Sequence, residues 1–227
     1  MTHPNSPAVA RRGFLYRLSQ GIAGLSALVA NPARLDAEPG RVASAGSANP
    51  DAWIDRLKGE HKVMIHVHQH FMTALVDART MLANARDLYG VPDGQFGLAV
   101  VTHGPAIQGL FRDETWERFA LGDYYKITDP KSGAAATRNV YLTPRDGDPP
   151  DATVSELVKR GVTFVVCDVA VRNLSKRLAK SGTTPEALHG ELSAGLVPGA
   201  FLVPDLFVSI QRAQKKGVSY IFTDRSR

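Results

Sequence analysis

Cysteine is almost absent from this chain of 227 residues, where Cys167 stands alone. One thiol excludes an intramolecular disulfide framework and any metal site built from clustered cysteines. Also missing is a run of about 18 uninterrupted apolar residues, so no membrane-spanning helix is expected in the mature protein. No glycine-rich phosphate fingerprint and no Gly-x-Ser-x-Gly elbow occur, which argues against nucleotide binding and serine hydrolase chemistry. Excess charge is scarce where it would matter. The formal net charge is +5, yet residues 1–45 carry +3 of it, and the other 182 residues hold 22 basic and 20 acidic side chains. With the body so nearly balanced, the basic excess says little about nucleic acid, and none is expected as a partner.

What is present suits one ordinary domain with an extension. The chain is 44% hydrophobic, too apolar for a disordered protein. Its N-terminus reads Ala10-Arg11-Arg12-Gly13-Phe14-Leu15, followed by a modestly apolar run over 21–30. Paired arginines before Phe-Leu and a short apolar segment resemble a twin-arginine export signal. Ala43-Ser44-Ala45 offers a small-x-small cleavage site, and the Ala/Gly/Ser/Pro-rich stretch over 31–50 reads as a linker. Residues 1–45 are therefore read as signal and linker, 46–227 as the working domain, and the destination as the periplasm. Export in the folded state is compatible with a cofactor but does not require one, and none is expected.

In the body, β-rich runs alternate with helical patterns. Strands are expected over 62–68, 96–101, 162–167, 199–204 and 218–222. Helices are expected over 51–60, 73–88, 106–119, 151–160, 170–180, 185–194 and 205–216. The alternation predicts a three-layer α/β/α domain, flavodoxin-like, around a mostly parallel five-stranded sheet. Residues 120–150 break the pattern with Asp129-Pro130, Ser132-Gly133 and Asp146-Gly147-Asp148-Pro149-Pro150. This long loop or insertion is expected to cover a site or an interface. The aromatics at its edge, Trp116, Phe119, Tyr124 and Tyr125, read as packing or subunit contact.

Cys167 falls where an apolar strand ends and a helix begins, the edge at which open α/β sheets bind ligands. A helix start favours the thiolate, whereas the adjacent Asp168 opposes it. Two readings fit, a reactive thiol and a buried packing cysteine. His103, in Thr102-His103-Gly104-Pro105, lies at the equivalent edge of the second strand, where Gly104 permits close backbone approach. Depending on strand order, His103 and Cys167 share a crevice and resemble an activated nucleophile pair. His66, His68 and His70 recur at spacing two, which on a strand lines one face and suits a metal ion. If the strand ends near His68, they are instead a core histidine and polar residues at a cleft mouth.

From Phe96 onward the chain resembles the DsrE-like family of small sulfur-handling proteins. The resemblance is carried by Val100-Val101-Thr102-His103-Gly104-Pro105, by Gly161-Val162-Thr163-Phe164-Val165-Val166-Cys167 with the following Asn173, and by Ala194-Gly195-Leu196-Val197-Pro198-Gly199. The insertion segment from Gly133 to Asn139 resembles an exported branch of the family. The resemblance implies a flavodoxin-like fold assembled into homotrimers or homohexamers. It also implies a cysteine that carries sulfane sulfur as a persulfide, a role open here to Cys167 alone. The histidine run over 66–70 is not part of that resemblance; read from their places at the strand ends, His103 would assist catalysis, with Gly104, Asp168, Asn173, His66 and His68 around the ligand. The partner would be a sulfur-donor protein or a small sulfur anion. An oligomeric binding module without catalysis is the alternative, and a histidine-based metal protein the third.

Overall fold

Five runs of aliphatic and β-branched residues become five parallel strands. The structure is a computed structural model and describes residues 49–180 and 182–225. The expected signal and linker over 1–45 lie outside the described residues. A short helix, α1 (Ala52–Arg56), leads into β1 (His61–Val67), and α2 (Phe71–Tyr89) carries the chain to β2 (Phe96–Thr102). Helix α2 stops at Gly90, whose left-handed φ of 69° lets its amide return to the last turn. After the segment over 103–153 come α5 (Val154–Lys159), β3 (Thr163–Cys167), α6 (Asp168–Leu178) and α7 (Pro185–Ala194). The described chain ends with β4 (Phe201–Val203), α8 (Leu206–Lys215) and β5 (Ser219–Phe222).

The sheet runs β4-β3-β2-β1-β5 with every neighbouring pair parallel. Parallel neighbours need crossovers, and the helices supply them on both faces. Alternation along each strand sorts the side chains. Ile65, Val67, Val100 and Phe164 meet Leu75 of α2, Val171 of α6 and Leu192 of α7 on one face. Met64, Val101 and Val165 meet Trp53 of α1 and Leu206 and Ala213 of α8 on the other. The domain is thus a three-layer α/β/α sandwich, flavodoxin-like, with an all-parallel sheet.

Two expectations need correction. The helix expected over 106–119 is broken in the middle. A 3₁₀ segment (Gly104–Leu110) is followed by α3 (Asp113–Phe119). Between them Phe111 is extended and forms an antiparallel bridge with Leu196, and this tertiary pairing buries its ring completely. Nor is the insertion a bare loop. It contains α4 (Leu121–Tyr125) and buries Leu121, Ala136, Val140 and Tyr141 against the core. Asn139 bolts it down: its Nδ2 donates to the carbonyls of Gly109 (2.9 Å) and Phe111 (2.6 Å), and its Oδ1 accepts from the Tyr141 amide (2.9 Å). Among the described residues no helix is long and apolar enough to cross a membrane.

Candidate functional site

β3 and β4 lie side by side, but the helices that follow them leave to opposite faces, α6 with the α2 layer and α8 with the α1 layer. Such divergence opens a crevice beyond the carboxyl ends of the two strands. Cys167, the last residue of β3 and the N-cap of α6, sits there and is 5% exposed. The backbone amides of Ala170, Leu206 and Val169, at the starts of α6 and α8, lie close enough to its sulfur to favour the anion. Burial nevertheless raises the thiol above its ordinary pKa, outweighing these amides, and the nearby Asp205 carboxylate adds to the rise. The helix starts therefore do not make the resting sulfur a thiolate.

A cavity of about 430 Å³ opens beside the sulfur, with His103, His68, Asn173, Arg177 and Phe207 on its walls. Tyr125 of the insertion lines one side. The strand register explains the convergence. Thr102 pairs with Val166 and with Val67, so His68, His103 and Cys167 fall one step further along three adjacent strands. Gly104, at φ 57°, backs the site closely: a Cβ there would lie 2.2 Å from the His68 ring. That contact and that φ both call for glycine.

Behind His103 lies a second histidine. His66 is 3% exposed, with Nε2 2.7 Å from His103 Nδ1 and Nδ1 2.8 Å from the Tyr220 hydroxyl on β5. Phe207 stands edge-on to both imidazoles at 5.1 and 6.0 Å between ring centres. His68 flanks His103 at 4.5 Å. Burial, then the neighbouring His103 and His68, push the His66 pKa down to about 4. Burial and His68 lower that of His103 as well. Both rings are neutral at pH 7.

Two expected groupings do not form. Asp168 faces away from the cavity, where its carboxylate accepts from His189 Nε2 (2.6 Å) and Arg172 Nε (2.7 Å) and joins α6 to α7. His70 is the N-cap of α2 and lines a different cavity with Gln69 and Met72. Because β1 ends at Val67, the histidines at 66, 68 and 70 do not share a strand face. Among the described residues no group of three or more His, Cys, Asp or Glu side chains is placed to hold a metal ion. Residues not foreseen are Tyr220, Phe207 and Tyr125, each brought in by a distant element, and Arg177 at the far end of α6.

No protein family and no curated protein matches this chain. Among solved structures, a similar chain is the protein of unknown function MTH1491 from Methanobacterium thermoautotrophicum. It is 18% identical over 72% of this chain and 100% of its own, with a TM-score of 0.40. A likeness of that depth assigns no function.

The buried His66 makes acid stability predictable. Its folded pKa lies near 4 against the usual 6.5, so between these values the unfolded chain binds the extra proton. Stability is therefore complete above pH 6.5 and falls as pH drops towards 4, by on the order of 3 kcal/mol in all. Urea unfolding at pH 7 and pH 4.5 should register the loss. The His66→Gln variant should show a flatter dependence over the same interval.

Proposed function

We propose that the chain is a periplasmic sulfane-sulfur carrier of sulfurtransferase type, exported by the twin-arginine route and acting as a homo-oligomer. Cys167 is its acceptor. The observation that carries the reading is the amide cradle around Cys167, which joins the starts of two helices at the edge of a cavity. Such a cradle suits a sulfur anion better than a neutral thiol. Thiosulfate loads the thiol by displacement of sulfite. The Cys167 sulfur, losing its proton, bonds to the outer sulfur, the sulfur–sulfur bond of thiosulfate breaks, and sulfite departs with the electron pair. The persulfide that remains is anionic and takes up the amide hydrogen bonds. Arg177 on the wall offers a charge complement to an entering anion. The DsrE-like motifs around His103 and Cys167 agree with this chemistry. Exposed Phe207, Val208 and Phe222 give an apolar surface consistent with assembly.

Burial of the thiol favours a second reading, an oligomeric module that binds a small ligand without chemistry. Intact-mass measurement on the full chain, before and after thiosulfate or polysulfide, separates the two. A sulfur-sized mass gain reversed by reductant is the expected result. No gain, with Cys167 inert to iodoacetamide until the protein is denatured, would leave the binding module.

A further inference from the structure

Tyr220, His66 and His103 form an unbroken hydrogen-bonded line from the edge strand to the cavity wall, with links of 2.8 and 2.7 Å. Its outer end, Tyr220, is 39% exposed. At its inner end, His103 Nε2 has no protein hydrogen-bond partner among the described residues and belongs to a residue lining the cavity. Only one hydrogen fits between the two rings, so neutral His66 and His103 must share a tautomer. With both protonated at Nδ1, His103 Nε2 offers a lone pair to the cavity and His66 donates to the Tyr220 oxygen. With both protonated at Nε2, His103 donates into the cavity and the Tyr220 hydroxyl donates to His66.

We propose that Tyr220, His66 and His103 are a proton relay between the Cys167 cavity and the outer edge of the sheet, switching tautomer once in each half of a sulfur-transfer cycle. On loading, the Cys167 proton crosses the cavity to His103 Nε2. The Nδ1 proton of His103 passes to His66 Nε2, that of His66 Nδ1 to Tyr220, and the Tyr220 proton to solvent. On unloading, an acceptor thiolate bonds to the sulfane sulfur, and the Cys167 sulfur leaves with the electron pair. It regains its proton from His103 while a solvent proton enters at Tyr220. Each half-cycle resets the other, and no ring has to rotate or stay charged.

The surroundings suit this use. Burial keeps both rings neutral, as tautomer exchange requires. Phe207 shields them on one side. The other ionisable groups facing the line are His68 and Asp224 beside His103, with Cys167, Tyr125, Arg177 and Asp205 around the cavity. Tyr220 and His66 are positioning residues here, acting on the substrate only through His103.

The relay's chemistry rests on the sulfur-carrier reading, but its tautomer coupling does not, and the test keeps them apart. Long-range ¹⁵N correlation spectra of the labelled full chain report which nitrogen of each ring carries hydrogen. Matched tautomers in His66 and His103 are expected; opposite tautomers, or a ring that is cationic at pH 7, would overturn the relay. In Tyr220→Phe the Nδ1 form loses its acceptor, so both rings should be held at Nε2. His103 then presents only an N–H, and loading from thiosulfate should slow by about tenfold or more. A Tyr220→Phe chain that loads at the wild-type rate would sink the proposal even if the tautomers match. If the wild-type chain takes up no sulfur, the sulfur-carrier reading fails instead, and the spectra still decide the tautomer coupling.

Discussion

Replacing Cys167 with serine is expected to abolish sulfur loading completely while the protein stays folded. The hydroxyl is smaller than the thiol by little, and it can accept from the same amides of Ala170, Leu206 and Val169. Its cost to stability should stay within about 1–2 kcal/mol, the ordinary range for a core substitution that keeps its hydrogen bonds. A hydroxyl at neutral pH does not attack sulfane sulfur, so the mass gain seen with thiosulfate should vanish rather than shrink. Cys167→Ala makes the contrasting case. It leaves three amides without this partner in a buried place, and should destabilise more than serine does. Loading that survives in either variant would remove Cys167 from the mechanism. Circular dichroism and urea midpoints confirm that loss of loading is not loss of fold.

Asn139→Ala should be strongly destabilising although no apolar core residue is touched. Asn139 is 2% exposed and serves two carbonyls and one amide at once, tying the insertion to the 3₁₀ segment that begins at Gly104. Truncation strands three buried backbone groups, at about 1–3 kcal/mol each, and so costs at least about 3 kcal/mol together. For a domain of this size that corresponds to a melting temperature lower by about 10 °C or more. Asn139→Asp should be no better, because an oxygen would then face the carbonyls of Gly109 and Phe111. A thermal scan of the two variants tests this directly. A drop of less than about 3 °C in Asn139→Ala would mean that the insertion is held mainly by its apolar side chains.

The alternation of strands and helices was legible because the central strands β2 and β3 are continuous apolar runs, as burial on both faces demands, while β5 at the sheet edge is short and exposed. Cys167 and His103 were legible as edge residues for the same reason, since each directly follows such a run. What local pattern could not contain was register between distant elements. Tyr220 reads as one more aromatic in a closing strand until β5 pairs with β1 and brings its hydroxyl to His66. Asp168 reads as a neighbour of the thiol until α7 supplies His189 to draw its carboxylate away. The break at Phe111 has the same origin, a bridge to Leu196 that no helical periodicity announces.

The placement of β5 beside β1 closes the longest loop in the site. His66 and Tyr220 are 154 residues apart, and closing so long a loop is unfavourable until the units between them have condensed. Cys167 needs only β3, β4 and the starts of α6 and α8 for its amide cradle. The thiol can thus be seated while the edge of the sheet is still open. His66 gains its hydroxyl only when β5 docks, together with Thr223 on Asp77 and Asp224 on the amides of Gln69 and His70. In the proposed relay, the last link to solvent therefore depends on the final strand and not on the elements that seat the cysteine.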